Sequence, residues 1–247
     1  LCDRYGLYLV AEANLESHGM GYDEKTLAKN PAYAQAHLER NIRNVRRNIN
    51  HPSVIIGRNQ TVAAEIDGEF CRAHRIEVVR RLSGGGAVYH DYGNINYSFI
   101  ANKEASPVLD RDFLTPIVTV LHRMGIEATA GHRKELLVDG RKISGTASHV
   151  TRNRQLFHGT LLHRSDLEVL HRALRGDRTV RGKGVASVPS PVVNLSDLLG
   201  NDDTTEQFLH QLGSLLLNYY HLTAYATLTP KECERILTLA QKYNSEI

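Results

Sequence analysis

The sequence of 247 residues has few cysteines and no long apolar run. Its three cysteines, Cys2, Cys71 and Cys233, lie far apart and form no Cys-x-x-Cys pair, which excludes a disulfide framework and a cysteine zinc site. No apolar stretch reaches the length that spans a bilayer, and the first residues lack the pattern of a signal peptide. We therefore expect a protein of the reducing cytoplasm with no membrane partner.

An excess of charge of one sign is also missing. Lys and Arg number 30 against 27 Asp and Glu, and the formal net charge of +3 does not favour nucleic acid as a partner. With 41% hydrophobic residues, 23% charged residues and 7 prolines, the composition is typical of a globular chain with one large or two small domains. Neither the dinucleotide-binding glycine fingerprint nor the P-loop pattern occurs in its glycine-rich stretch.

That glycine-rich stretch, Arg80–Phe99, is the most informative part of the sequence. Two arginines precede three consecutive glycines, Gly84–Gly86, and a strand follows. Glycine reaches backbone angles closed to other residues, and successive N–H groups of such a loop can hold an anion. A guanidinium such as that of Arg81 can bind a carboxylate or a phosphate through two parallel hydrogen bonds. The pattern favours a phosphate-binding loop, with a plain glycine turn between strands as the alternative.

A second cationic residue follows a predicted hairpin turn. Asp139-Gly140 is a strong two-residue hairpin signal between strands at 136–138 and 141–143. Lys142 lies on the second of these strands, which places its ammonium more reproducibly than a loop does. There it can meet a carboxylate and a phosphate together, and a solvated hairpin lysine is the alternative. His158-Gly159-Thr160 offers a further polar edge that permits close backbone approach.

Apolar residues at helical spacing and two capping boxes mark the helices. They predict helices at 113–124 and 208–219, after Pro31, after Ser165 with Glu168, and after Thr229 with Glu232. A strand is expected at 155–162. No internal repeat or low-complexity tract interrupts this order.

Several segments of the sequence resemble the lipoate-protein ligase A family. They follow the family's order and spacing over roughly residues 54–222, and they are Val54–Gln60, Arg80–Asp91, Gly93–Asn94, Asn96–Phe99, Asp139–Ala147 and His158–Leu162, extended by Lys183–Val185, Ser187–Val188 and Asn194–Leu195. The resemblance implies an α/β (α+β) catalytic domain like that of the biotin and lipoate ligases. Such a domain has a mixed, largely antiparallel sheet and surrounding helices.

The same resemblance implies an ATP-dependent, adenylate-forming ligase. Lipoate and ATP give lipoyl-AMP and pyrophosphate, and the acyl group then moves to a lysine of a lipoyl carrier domain in a 2-oxoacid dehydrogenase complex or in the glycine cleavage H protein. Lys142 takes the catalytic position, which contacts the lipoate carboxylate and the ATP phosphate. The remaining ATP- and lipoyl-AMP-binding positions fall on Arg81, Ser83, Gly84, Gly85, Gly86, Ala87, Val88, Tyr89, His90, Gly145, Thr146, His158 and Thr160. Mg²⁺ is expected with the ATP phosphates, without a metal site made by the protein alone.

The chain departs from the family pattern at two places, and two other functions stay open. Residues 133–136 read Arg-Lys-Glu-Leu where Arg-Asn-Asp-Leu is common, which alters a polar or metal-linked contact, and residues 188–192 carry prolines where arginines are usual. The first open alternative is an octanoyl or lipoyl transferase of the same superfamily, which uses a cysteine nucleophile. The second is a non-catalytic lipoyl-binding module.

Residues 1 to about 56 resemble a different family. Leu1–Met20 and Arg47–Ile56 are similar to part of a β-galactosidase barrel, in which His18 matches a sugar-contacting position. The paired carboxylates that glycoside hydrolysis requires are absent. We therefore expect three segments, which are a barrel fragment at 1–53 that is not an independent domain, the ligase catalytic domain at 54–222, and at 223–247 the start of a truncated accessory C-terminal domain. A separate accessory domain is accordingly a further expected partner.

Overall fold

The computed structural model describes residues 51–102, 112–152, 154–177, 179–180, 184–223, 229–235 and 238. The helix predicted after Pro31, nearly all of the barrel fragment predicted at 1–53, and most of the segment predicted as an accessory domain lie outside the described residues. Within the described part of the chain, no helix is long and apolar enough to cross a membrane.

The described strands form three small sheets. They are β1 (Ser53–Ile56), β2 (Glu77–Arg80), β3 (Val88–His90), β4 (Asn94–Asn102), β5 (Thr129–Ala130), β6 (Leu136–Val138), β7 (Arg141–Ser144), β8 (Thr146–Val150) and β9 (Arg154–Leu162). The strand orders are β2-β1-β3, β4-β9-β8 and β5-β6-β7. β1 and β2 run parallel, whereas the other pairs are antiparallel. The mixed, largely antiparallel α+β architecture expected from the sequence is confirmed, divided among three sheets.

The described helices agree with the helical spacing of the sequence. They include α1 (Val62–Glu65), α2 (Gly68–Ala73), α3 (Leu114–Arg123), α4 (Leu167–Ala173), α5 (Leu195–Leu199) and α6 (Thr205–Tyr219). The helices predicted at 113–124 and 208–219 are thereby confirmed as α3 and α6. α6 begins three residues early because Thr204 and Gln207 form a reciprocal capping box.

One of the two predicted capping boxes is wrong. The N-cap of α4 is Asp166, not Ser165, because the Asp166 side chain accepts the Val169 N–H at 3.0 Å. The Ser165 N–H instead donates to the side-chain oxygen of Asn194. The box predicted at Thr229 and Glu232 is confirmed, since each side chain accepts the backbone N–H of the other residue.

Two hydrophobic cores position the strands that carry the predicted site. The larger core lies where α3 and α6 pack against the nine-residue pairing of β4 with β9, and its fully buried residues are Ile117, Val120, Leu121, Leu136, Ile143, Leu161, Leu195 and Phe208. The smaller core joins β1 and β3 to α2 and α4, and it comprises Val54, Ile56, Ile66, Cys71, Ile76, Tyr89, Leu162, Leu170 and Ala173. β7 thus belongs to the larger core through Ile143, and β3 to the smaller one through Tyr89.

The predicted hairpin between β6 and β7 is confirmed. Asp139 and Gly140 both have positive φ, 49° and 72°, as a two-residue type I′ turn requires. The turn places Arg141 opposite Val138 and brings Lys142 onto β7.

Candidate functional site

The two arginines before the glycines bind carbonyl groups of the protein rather than leave their charge free. Arg81, which is 9% exposed, donates from Nε to Ser83 Oγ, from Nη1 to the Ile55 carbonyl, and from Nη2 to the carbonyls of Gly84 and Gly86, at 2.7–3.1 Å. Four of the five N–H donors of its guanidinium are therefore used within the protein. Burial lowers the pKa of Arg81 to about 10, so it is charged at neutral pH. Arg80 Nη1 likewise donates to three carbonyls, those of Gly57, Arg58 and Gln60.

This arrangement turns the carbonyls of the glycine loop inward and leaves its N–H groups available. The N–H groups of Gly84, Gly85 and Gly86 donate to no described residue, although the carbonyls of Gly84 and Gly86 both accept from Arg81. Gly85 has φ +95°, a conformation that favours glycine. Consecutive N–H groups with no internal acceptor are the feature that an anion-binding loop needs.

Lys142 presents the second positive charge of the site. Its ammonium makes no hydrogen bond or ion pair with any described residue, although the side chain is largely buried. Burial and then the nearby charge of Arg133 lower the pKa of Lys142, while Glu135 partly opposes this shift. A largely buried ammonium without a carboxylate partner is costly in a folded protein, and binding of an anion relieves the cost.

The glycine loop and the Lys142 hairpin lie side by side. A Cβ built on Gly145 would lie 3.6 Å from the Lys142 ammonium nitrogen and 3.6 Å from a methyl group of Val88, which follows the glycine loop on β3. A Cβ built on Gly85 would lie 3.8 Å from the Ala147 Cβ on β8. The structure therefore brings together the two segments that the sequence placed far apart.

A hydrogen-bonded chain fixes the His158 ring against the loop. Ser83 Oγ accepts from Arg81 Nε at 3.1 Å and lies 2.7 Å from His158 Nε2. The Ser83 hydroxyl thus bonds both the Arg81 guanidinium and the His158 ring nitrogen. Burial, then the charge of Arg81, lowers the pKa of His158 to about 4, which keeps the ring neutral at pH 7.

His90 and Tyr89 point to opposite faces of β3. His90 is 5% exposed, and its Nε2 has no hydrogen-bond partner among the described residues. Burial, then Arg81 and His158, lowers the pKa of His90 to about 3. Tyr89 packs in the smaller core, where burial raises the pKa of its phenol. Of these two predicted binding residues, His90 faces the Arg81 and His158 side of the strand, whereas the Tyr89 side chain does not.

Two predicted hydroxyl groups are used inside the protein. Thr146 Oγ1 donates to the Lys134 carbonyl at 2.7 Å, and Thr160 Oγ1 accepts the Gly145 N–H at 3.4 Å. The Thr160 N–H also donates to the Gly145 carbonyl at 2.9 Å. The contacts of both threonines thus hold the turn that follows Lys142. These residues shape the site through its backbone.

The sequence departure at 133–136 places Glu135 beside the site. One Glu135 carboxylate oxygen accepts the Arg133 N–H at 2.8 Å, and the other lies 3.8 Å from Arg133 Nε. Among the described residues no group of three His, Cys, Asp or Glu side chains could hold a metal ion. The glycine N–H groups and the Lys142 ammonium form a set that suits oxyanions, and the Glu135 carboxylate lies beside them.

Sequence reasoning assigned no role to three residues that complete the glycine-loop side. Ser187 Oγ accepts the Ala87 N–H and a Gln60 side-chain N–H, and the Ser187 N–H donates to the buried Glu65 carboxylate. The N–H of Ala87 is therefore already paired, unlike those of the three glycines before it. The matches of Val54–Gln60, Lys183–Val185 and Ser187–Val188 to the ligase pattern were the signals in the sequence that pointed to this region.

The comparison with protein families is decisive for the class of the protein. The model of the lipoyl protein ligase A/B catalytic domain family matches residues 24–215. The chain belongs to this family. The match begins within the segment that was expected to be a barrel fragment, and that expectation stays a prediction.

Curated members of the family are similar over most of the chain. Lipoate-protein ligase LplJ of Bacillus subtilis is 42% identical over 166 residues, which cover 66% of this chain and 50% of the relative. Lipoate–protein ligase 1 of Staphylococcus aureus is 36% identical over 200 residues, 80% of this chain and 61% of the relative. The chain thus spans between half and two thirds of the length of these relatives.

Solved structures of the family share the fold. A Thermoplasma acidophilum protein with bound lipoic acid has a TM-score of 0.61 and 25% identity, with 77% of this chain and 78% of that chain covered. A second T. acidophilum structure, of a bi-partite lipoate protein ligase and its E2 lipoyl domain, has a TM-score of 0.62 and 25% identity, with 78% of each chain covered. The structure of lipoate-protein ligase A bound with ATP has a TM-score of 0.62 and 25% identity, with 77% of this chain and 78% of that chain covered.

Proposed function

We propose that the chain activates lipoate with ATP to form lipoyl-AMP, and that the lipoyl group is then transferred to a lysine of a lipoyl carrier domain. The observation that carries the proposal is the pairing of an unpartnered, largely buried Lys142 ammonium with the unpaired N–H groups of Gly84–Gly86. Adenylation brings a carboxylate and a phosphate together, and it requires fixed donors rather than a protein nucleophile. The relatives named as lipoate ligases support the same reaction.

In the first step, a lipoate carboxylate oxygen attacks the α-phosphorus of ATP, and the bond from phosphorus to the bridging oxygen of pyrophosphate breaks. Lys142 contacts both the attacking carboxylate and the phosphate, which reduces their mutual repulsion. The glycine N–H groups bind phosphate oxygens. Arg81 holds the loop carbonyls and adds positive potential from behind the loop.

In the second step, the amine of the carrier lysine attacks the lipoyl carbonyl carbon, AMP leaves, and an amide forms with release of one proton to solvent. Neutral His90 and His158 border the acyl side of the site, where an uncharged lining suits an apolar acyl chain. The further residues proposed to line or shape the bound lipoyl-AMP are Ser83, Ala87, Val88, Tyr89, Gly145, Thr146 and Thr160.

Mg²⁺ is proposed to enter as the complex with ATP. Such a cation is held mainly by the phosphates and by water, with few direct ligands from the protein. Glu135 is the carboxylate whose charge acts to raise the pKa of Lys142, and it takes the place of the aspartate that is usual in the family. It is the residue that we propose to contact this cation or its water shell.

The carrier is proposed to be a lipoyl domain of a 2-oxoacid dehydrogenase complex or the glycine cleavage H protein. The T. acidophilum structure of a bi-partite ligase and its E2 lipoyl domain supports the first of these and supports a separate accessory domain as a partner. We also propose the cytoplasm as the compartment, since Cys71 and Cys233 are free thiols. The division of the chain into segments 1–53, 54–222 and 223–247 is kept as part of the proposal.

The test is lipoate-dependent exchange of pyrophosphate with ATP by the purified chain, with Lys142→Ala as the control. We expect exchange that requires lipoate and is lost in the variant. Lipoyl transfer from an acylated carrier without ATP would instead support the transferase, against which the buried position of Cys71 and its raised pKa already count. Lipoate binding without exchange would indicate a binding module.

A further inference from the structure

The segment 184–193, here called the connecting segment, touches both sides of the proposed site. At its first end, Ser187 Oγ accepts the Ala87 N–H of the glycine loop at 2.9 Å. A Cβ built on Gly86 would lie 2.9 Å from the same oxygen, so Ser187 is in tight contact with the loop.

At its other end, the connecting segment pairs with the backbone of Lys142. The Lys142 N–H donates to the Pro191 carbonyl at 2.7 Å, and the Val193 N–H donates to the Lys142 carbonyl at 3.1 Å. Lys142 and Val192 form a parallel bridge. Three residues thus separate Ser187, which contacts the glycine loop, from Pro191, which contacts β7.

Buried polar groups fix the position of Ser187. Glu65 at the end of α1 is 5% exposed, and both of its carboxylate oxygens lie 3.2 Å from the Ser187 N–H nitrogen. Gln60, also 5% exposed, donates to Ser187 Oγ at 3.0 Å and to the Val185 carbonyl at 3.2 Å. The hydroxyl and the backbone N–H of Ser187 are therefore held by three residues of two separate chain segments, two of them buried, which fixes this residue in place.

We propose that Ser187 is a positioning residue, which acts through the connecting segment to set the spacing between the glycine-loop N–H groups and the Lys142 ammonium. The inference rests on the proposed adenylation function and adds to it a residue that touches no reacting atom. A misplacement of about 1 Å between reacting groups lowers a rate by about 10²-fold. The contact of Ser187 therefore bears on the rate of the first step more than on the affinity for either substrate.

The kinetic test compares Ser187→Ala with Ser190→Ala, a matched change three residues away in the same segment. For Ser187→Ala we expect kcat of pyrophosphate exchange to fall about 10- to 100-fold with little change in KM for lipoate or ATP. Ser187→Thr should recover most of the rate, and Ser190→Ala should behave as the unchanged chain. A normal kcat in Ser187→Ala, with the unchanged chain active, would overturn the inference and leave the proposed function standing.

The second test measures amide hydrogen exchange and needs no activity. In Ser187→Ala we expect the amides of both Ala87 and Lys142 to exchange about tenfold faster or more, because loss of one hydrogen bond of ordinary strength allows that much more opening. Ser190→Ala, although adjacent to Pro191, should leave both amides unchanged. Faster exchange at Ala87 alone would show that the segment does not link the two sides and would overturn the inference. Absence of lipoate-dependent exchange in the unchanged chain would count against the proposed function only.

Discussion

The glycine loop and the Lys142 hairpin hold their positive charges in opposite ways. Arg81 on the first is enclosed by three carbonyls and a hydroxyl, whereas the Lys142 ammonium on the second has no partner among the described residues. The residue type alone marked both as anion-binding cations. The difference shows that a buried charge can serve either to shape a backbone or to meet a ligand, and that its hydrogen bonds within the protein decide which.

Among the variants that test this difference, Lys142→Met should cause the largest loss of activity. We expect lipoate-dependent pyrophosphate exchange to fall about 10²- to 10³-fold, as when a preorganised electrostatic donor is removed. The free energy of unfolding should not fall, because the variant removes a largely buried ammonium that has no internal partner. Urea denaturation and exchange rates measure the two effects, and the neighbouring exposed Arg141→Met serves as the control. A less stable but fully active variant would contradict the assignment of Lys142.

Arg81→Lys should show the reverse pattern, with stability as the first loss. The charge is retained, but an ammonium cannot replace the planar fork that binds the carbonyls of Gly84 and Gly86. We expect the free energy of unfolding to fall by about 2–4 kcal/mol, since buried carbonyls lose charged hydrogen bonds. Denaturation in urea measures this, with exposed Arg58→Lys for comparison. Unchanged stability together with weaker ATP binding would mean that Arg81 acts mainly on the ligand.

Two neighbouring glycines allow the conformation of the loop to be tested with matched variants. Gly85→Ala forces a Cβ into a residue with φ +95°, 2.9 Å from Arg81 Nη2, whereas a Cβ on Gly84 would meet nothing within 4 Å. We expect a loss of about 1–2 kcal/mol for Gly85→Ala and a change within about 0.5 kcal/mol for Gly84→Ala. Thermal unfolding of the two variants measures the difference. Equal losses would show that the loop is not held as described.

A smaller effect is expected in the pH dependence of exchange activity, which should follow Lys142 and not the two histidines. The pKa of Lys142 is lowered from 10.5, so pyrophosphate exchange should decline as the pH rises through this lowered value. In Lys142→Arg, the activity that remains should decline only at a higher pH. His90 and His158, with pKa values of about 3 and about 4, stay neutral above pH 5 and should add no acidic limb there.

The same histidines should affect stability in acid. Their folded pKa values lie below the ordinary 6.5, so the unfolded chain takes up protons first as the pH falls. Stability should therefore decrease as the pH falls from about 6.5 to about 4, as measured by urea denaturation across this range. Constant stability over that range would contradict the burial of both rings.

The parts of the fold that local chemistry controls were predictable from the sequence. Asp139-Gly140 supplies the two positive φ angles of a hairpin, and the helical spacing of Phe208 and Leu212 marks α6 without knowledge of any partner. Ser165 failed as an N-cap because Asp166 beside it is an equally good capping residue, and only the tertiary contact of Ser165 with Asn194 decides between them. Choices between adjacent, chemically equivalent residues are made by packing.

The sequence predicted where the site lies, but not which hydrogen bonds its residues make. Lys142 and the glycines were located by resemblance to a family, yet the internal bonds of Arg81 depend on the carbonyls of β1 and the loop. Ser187 and Glu65 are separated by 122 residues, so no local pattern links them. Contacts between residues so far apart in sequence can be identified only from the three-dimensional structure. The same holds for the side of β3 on which the Tyr89 side chain lies.

Gly57 at the exit of β1 has a consequence for how members of this family are sorted. A Cβ at this position would lie 2.0 Å from the carbonyl oxygen of Gly85, a clash of backbone with side chain that no rotamer can relieve. A related sequence with any other residue here must therefore place its glycine loop elsewhere. The residue type at this one position can thus distinguish, from sequence alone, relatives that share this loop geometry from relatives that do not.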